Sequence, residues 1–324
     1  MKTIKRQIIS LILCLLFCVI NLPETAFAQD NVNIDAKCSL SVSFMPNGEV
    51  AENVNFKLYR VADISLSYKL SFADPFTKYP IVFENNQDDW RKLAVTLSGY
   101  VCADNISADY SAKISSDGSA VFNNIPVGVY LITADVYKSN HKVYVPQPVL
   151  VSVPNHDIHN EFNYNVIVNA KYNFYDENEK IDLDVLKIWK NDNSNHPDSV
   201  IVELYNGTEL YDTVKLNHQN NWQYTWKKLS AYGNWNIREK SVFNGYTVSV
   251  DKQSNSFIIT NSAIVPPLKT NKPSESSSQN KSSSQNKSLP QTGLLWWPVP
   301  VLIAGGLFLI IIGYIRNRGS AYEN

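Results

Sequence analysis

A lysine, a glutamate and an asparagine stand in this 324-residue chain where apolar side chains are due, and together they have the makings of an amide-forming reaction. In Leu183-Asp184-Val185-Leu186-Lys187-Ile188-Trp189, strand alternation puts Leu183, Val185, Lys187 and Trp189 on one face. The same alternation groups Glu239 with Trp235 and Ile237, and Asn261 with Phe257 and Ile259. Burial lowers the pKa of an amine and raises that of a carboxyl, so a neutral Lys187 and a protonated Glu239 can coexist. The amine can then attack the side-chain carbonyl of Asn261. Glu239 would donate a hydrogen bond to that carbonyl and pass on the proton as ammonia leaves. Two plainer readings fit the same pattern: polar residues at strand ends that reach solvent, and a simple Lys187–Glu239 ion pair.

Other reactive residues are sparse. The five histidines, His141, His156, His159, His196 and His218, are scattered, and no nucleophile motif accompanies His156 and His159 near Asp157. This disfavours catalysis on an external substrate. No Cys-x-x-Cys or histidine cluster implies a metal, and no cofactor is implied. Of four cysteines, Cys14 and Cys18 lie in an N-terminal apolar run. Cys38 and Cys102 remain, either as a disulfide closing a loop of about 64 residues, worth a few kcal/mol, or as two free buried thiols.

Both ends of the chain carry processing signals. Lys2, Lys5 and Arg6 precede the apolar stretch Ile8 to Ile20, and Ala26-Phe27-Ala28 precedes Gln29, which predicts a secretory signal peptide over 1–28. Residues 294–315 are apolar and uncharged, long enough to span a bilayer as a helix, with Arg316 and Arg318 in a basic tail, 316–324, on the cytoplasmic side. Removing both ends takes five of 29 Lys and Arg and two of 30 Asp and Glu, leaving a net charge of about −4. No basic patch argues for nucleic acid.

Between the ends, short runs rich in Val, Ile, Tyr and Phe are punctuated by Asn, Asp, Gly and Pro, which predicts an all-β chain of two antiparallel sandwiches. They span 29–172 and 183–262, with the boundary in the polar, acidic stretch 172–182. One segment breaks the strand rule. From Asp88 to Val101, Trp90, Leu93, Ala94, Leu97 and Val101 fall at helical spacing behind Asp88 as N-cap, which predicts a helix inserted in the first domain with one face on its sheet. The linker 263–288 is dominated by Ser, Asn, Gln, Lys and Pro, repeats SSSQNK, and can bury no core.

Leu289-Pro290-Gln291-Thr292-Gly293, set against the apolar helix and basic tail, resembles the cell-wall sorting signal of Gram-positive surface proteins. The resemblance implies that a sortase cuts after Thr292 and passes the acyl group to a peptidoglycan precursor, leaving the protein covalently anchored to the cell wall at the cell surface. The stretch Val185 to Asn261, with Val185-x-Lys187-x-Trp189, His196-Pro197, Asn221-Trp222, Ile237-x-Glu239 and Ile259-Thr260-Asn261, resembles a Cna B-type domain. That implies an immunoglobulin-like sandwich carrying a spontaneous Lys187–Asn261 isopeptide bond promoted by Glu239. The first domain resembles that of two-domain basal or minor pilins, through Phe56 to Ala62, Trp90, Gly128-Val129-Tyr130-Leu131 and Tyr164 to Lys171. This implies that Lys171 receives the cleaved Thr of a shaft pilin subunit, with Ala170 where that motif usually has proline. A stand-alone adhesin gripping a host or matrix ligand is the competing reading, with Tyr68, Phe72, Phe76 and Tyr79 either forming a ligand face or packing beneath the 64–83 segment.

Overall fold

The computed structural model describes residues 31–84, 86–157, 161–191 and 196–264. The predicted signal peptide, the linker after residue 264, the predicted sorting motif, the C-terminal apolar run with its basic tail, and His159 lie outside them. Among the described residues no helix is long and apolar enough to cross a membrane.

The first sandwich is built on two main sheets. Strand β1 (Cys38–Ser43) pairs with β5 (Ser119–Ile125) on one side and, in parallel, with β12 (Asn165–Asn169) on the other. Facing them, β2 (Asn55–Ile64) and β6 (Gly128–Ala134) form the centre of a sheet with β3 (Leu70–Phe72), β4 (Tyr110–Lys113) and β9 (Val149–Val153). A smaller sheet joins β7 (Tyr137–Ser139), β8 (Lys142–Pro146) and β13 (Tyr172–Asp176), and β10 (Asn155–His156) pairs with β11 (Phe162–Asn163). The core is apolar and aromatic: Leu40, Val42, Phe44, Phe56, Leu58 and Tyr130 are fully enclosed. Its described buried polar side chains are Thr96, Ser98 and Ser152, with no lysine, asparagine or acid among them.

The second sandwich pairs a four-stranded sheet, in the order β17 (Gln223–Ser230), β14 (Lys180–Lys190), β20 (Ser256–Ala263), β19 (Tyr246–Gln253), with a three-stranded one, β16 (Glu209–Asn217), β15 (Ser199–Asn206), β18 (Trp235–Glu239). The first and last strands, β14 and β20, are neighbours and run parallel. Strand β14 follows the expected alternation, burying Ile181, Leu183, Val185 and Lys187 while their neighbours face out.

The helix departs from expectation. Helix α1 spans Gln87–Ala103, and its N-cap is Asn86, whose side chain accepts from Asp89 N, rather than Asp88. Every residue from Leu93 to Cys102 is buried. A helix enclosed all round has partners on both sides, and α1 lies between the sandwiches: one face meets β6 and β9, the other β18 and β19. The junction also moves. Tyr172–Asp176 is strand β13, paired with β8, so the sandwiches are joined by a turn at 177–179, where Asp176 N donates to Glu179.

Candidate functional site

Lys187, Glu239 and Asn261 meet inside the second sandwich. The four-stranded sheet supplies Lys187 from β14 and Asn261 from β20, and the opposite sheet supplies Glu239 from the last position of β18. In the parallel ladder Lys187 stands beside Ile259 and Trp189 beside Asn261, so amine and amide share one inward face. Asn261 is fully buried, and the side chains of Lys187 and Glu239 have no exposure.

The amine of Lys187 lies 3.8 Å from Glu239 Oε2 and donates to its neighbour's carbonyl, Ile188 O, at 3.0 Å. Asn261 Nδ2 donates to Glu239 Oε1 at 2.9 Å. Glu239 Oε2 and Asn261 Oδ1 have no hydrogen-bond partner among the described residues. A half-turn of the Asn261 amide exchanges its oxygen and nitrogen and sets the carbonyl against Glu239, the arrangement in which a protonated acid can polarise it.

Burial pushes the Lys187 pKa down to about 8, against the pull of the Glu239 charge. It pushes that of Glu239 up, against Lys187 and the Asn261 hydrogen bond. About one amine in ten is thus neutral at pH 7, against about one in three thousand for an exposed lysine. The side chains do not reach solvent, which removes one of the plainer readings. The shifts raise the share of neutral amine and protonated acid above that of exposed groups, because two charges without water lose more solvation than their attraction returns.

The sequence reading overlooked Trp189 as part of the site. Its ring lies 3.8 Å below the Lys187 amine and is braced by His196 at 4.6 Å and Trp222 at 5.6 Å. Its place two residues after Lys187 in one apolar row was the available signal.

The shifted amine has a measurable consequence. An Asn261→Ala chain keeps Lys187 free, with a pKa of about 8 when folded and the ordinary 10.5 when unfolded. Between those values the unfolded chain binds the extra proton, so stability rises with pH by roughly 1.4 kcal/mol per unit, and below pH 8 the cost of burying the charge is present in full. Urea midpoints from pH 7.5 to 10 should climb in this variant relative to a chain whose amine is joined. Parallel curves would show that Lys187 is not dry.

The other predicted residues are dispersed. Lys171 is exposed between β12 and β13, its carbonyl accepting from Gln147 N at 2.8 Å, at the edge of a groove of about 600 Å³ that Trp90, Pro148 and Leu150 help line. Of the two readings of Cys38 and Cys102, the structure has the free, buried thiols and not the disulfide, with Cys38 opening β1 and Cys102 in the last turn of α1. Burial raises both thiol pKa values, that of Cys102 to about 11, so neither is a ready thiolate. For the four aromatic residues the structure shows packing, complete for Phe76 and partial for Tyr68, Phe72 and Tyr79. Phe76 is buried, Phe72 stacks on Phe83 at 4.2 Å, Tyr68 stacks on Phe162 at 5.6 Å, and Tyr79 stacks on Tyr100 at 3.9 Å.

Residues 183–262 match the family model described as Cna protein B-type domain. A collagen adhesin of Staphylococcus aureus is 36% identical over 99 residues, covering 28% of this chain and 8% of that protein, so the chain spans a small part of that relative. Among solved structures, a single B repeat unit of the S. aureus collagen-binding surface protein matches at 18% identity and a TM-score of 0.25, over 70% of this chain and 98% of the other. The full-length major pilin SpaD of Corynebacterium diphtheriae matches at 16% and 0.29, over 72% and 66%. GBS52, the minor pilin of Streptococcus agalactiae, matches at 16% and 0.21, over 74% and 100%. The sandwich that brings Lys187, Glu239 and Asn261 together is the part of the chain that matches the Cna protein B-type domain model.

Proposed function

We propose that this chain is a wall-anchored structural protein of the Gram-positive surface, a basal or minor pilin whose second sandwich is locked by its own amide bond. The enclosed meeting of Lys187, Glu239 and Asn261 carries the reading. The neutral Lys187 amine adds to the Asn261 side-chain carbon, the new C–N bond replaces the old one, and Glu239 relays the amine's proton to the departing ammonia. No external reactant is consumed. The chain is a substrate for sortase, joined through Thr292 to the peptidoglycan precursor, and Lys171 accepts the cleaved Thr of a shaft subunit. The exposure of Lys171 beside a groove supports that role.

The kinship with a collagen adhesin favours a second reading, a stand-alone adhesin for a host or matrix ligand. The burial of Phe76 and the stacking of the half-buried Tyr68, Phe72 and Tyr79 leave little of the ligand face first considered for it.

Sheared surface polymers from sortase-competent cells carrying shaft subunits separate the two. The pilin reading expects tryptic peptides in which Lys171 is linked to a threonine carboxyl, and loss of those polymers from the wall with Lys171→Arg. A single wall-linked species, unchanged by that substitution, would favour the adhesin.

A further inference from the structure

Strands β18 and β19 are edge strands of the two sheets, and α1 packs against both. An open edge leaves backbone donors unpaired and the interior near water. Here the first domain covers them. Val250 N donates to Thr96 Oγ1 at 2.7 Å, and Val248 N to Pro80 O at 2.8 Å. Val248 is the register partner of Asn261.

On β18 the contacts converge on the three residues before Glu239. Ser98 Oγ donates to Asn236 Oδ1 at 2.9 Å in a buried bond. Gly99 lies so close to Ile237 that a Cβ there would stand 2.2 Å from its carbonyl oxygen. Arg238 meets Asp104, the C-cap of α1, at 2.5 Å, and is braced by Glu203 at 2.7 Å. Tyr100, the next residue of α1, is buried, and its hydroxyl pKa is raised by burial and then by the Glu239 charge.

We propose that α1 of the first domain completes the cross-linking site of the second: docked across β18 and β19, it closes the edge beside Asn261 and fixes the strand that presents Glu239, so that Lys187 and Asn261 join only once the sandwiches have docked. The inference rests on the amide reading above. Glu239 ends a five-residue strand paired in its own sheet only with β15, so without α1 nothing described holds the outer side of residues 236–238. Misplacing a catalytic group by about 1 Å can cost a hundredfold in rate. Gly99 and Ser98 are therefore positioning residues, acting through β18.

The test follows ammonia loss in the whole ectodomain, synthesised in a cell-free system and sampled by intact mass. The wild-type chain should lose one ammonia as it folds. Gly99→Leu, which wedges the helix away, should slow the loss by on the order of 10 to 100 fold. The milder pair Thr96→Val and Ser98→Ala should slow it several-fold while far-ultraviolet dichroism and protease resistance report both sandwiches folded. Equal rates in wild type and in the folded double variant would overturn the role of α1 and leave the amide reading intact. No ammonia loss even in the wild type would remove both.

Discussion

A Glu239→Ala ectodomain is expected to have the plain summed mass of its residues, where the wild type falls one ammonia short of its own sum, and to melt far below it. Two effects combine. Without the acid, nothing polarises the Asn261 carbonyl or carries the proton away, so the amide does not form. The proposed Lys187–Asn261 bond would close a loop of about 75 residues, and the chain-entropy formula for cross-links assigns such a loop about 4.5 kcal/mol at 25 °C. For a domain of this size that corresponds to a melting temperature lower by on the order of 20 °C or more. Removing Glu239 also strands the Lys187 amine in a dry interior, a further cost the substitution cannot avoid. Glu239→Gln separates the two, because it keeps the volume but cannot relay a proton: it should be equally unjoined and somewhat more stable than the alanine chain. Mass spectrometry and calorimetry on the three ectodomains check this. A wild-type mass without the ammonia deficit would remove the cross-link.

How much of this could be read in the sequence depended on whether a residue's partners lie on its own element. Lys187 was legible because Leu183 and Val185 declare which face of β14 points inward. Glu239 and Asn261 followed by the same rule, although nothing local says that β18 faces β14 across the core while β20 lies beside it. The burial of α1 was not legible. Thr96, Ser98 and Gly99 have the composition of a solvent face, and they became an interface because a small residue lets the backbone of Ile237 approach and two hydroxyls bond to β18 and β19. Such bonds connect residues 138 and 154 positions apart, which no periodicity encodes. The polar stretch 172–182 read as a boundary, yet its first five residues, Tyr, Asn, Phe, Tyr and Asp, carry three aromatic side chains and found an edge to pair with on β8. For Cys38 and Cys102, spacing carried no information on distance, and each thiol is enclosed by its own neighbourhood.

The largest mechanical effect expected concerns extension under load. Strands β14 and β20 run parallel and adjacent, so a pull on the start of β14 and the end of β20 shears the ladder between them. With Lys187 joined to Asn261, the line of force crosses at the amide and leaves the intervening residues slack. Without the bond, once the ladder yields, roughly 74 residues pay out at 3.3–3.6 Å each, on the order of 250 Å of contour length. Single-molecule pulling should therefore show no step of that size from the second sandwich of the wild type and one such step per molecule in Glu239→Ala. The point of attachment matters as much. Load entering at the Lys171 side chain runs through β13, the turn at 177–179 and β14 to the amide, bypassing the strands from β1 to β12. The first sandwich buries no lysine, asparagine or acid among its described residues and so has no comparable set with which to lock itself. It should unfold when pulled from its N-terminus and stay folded when pulled from Lys171. An equal first-sandwich step in both geometries would show that the load path does not turn at β13, and a 250 Å step in the wild type would show that the amide is not in the line of force.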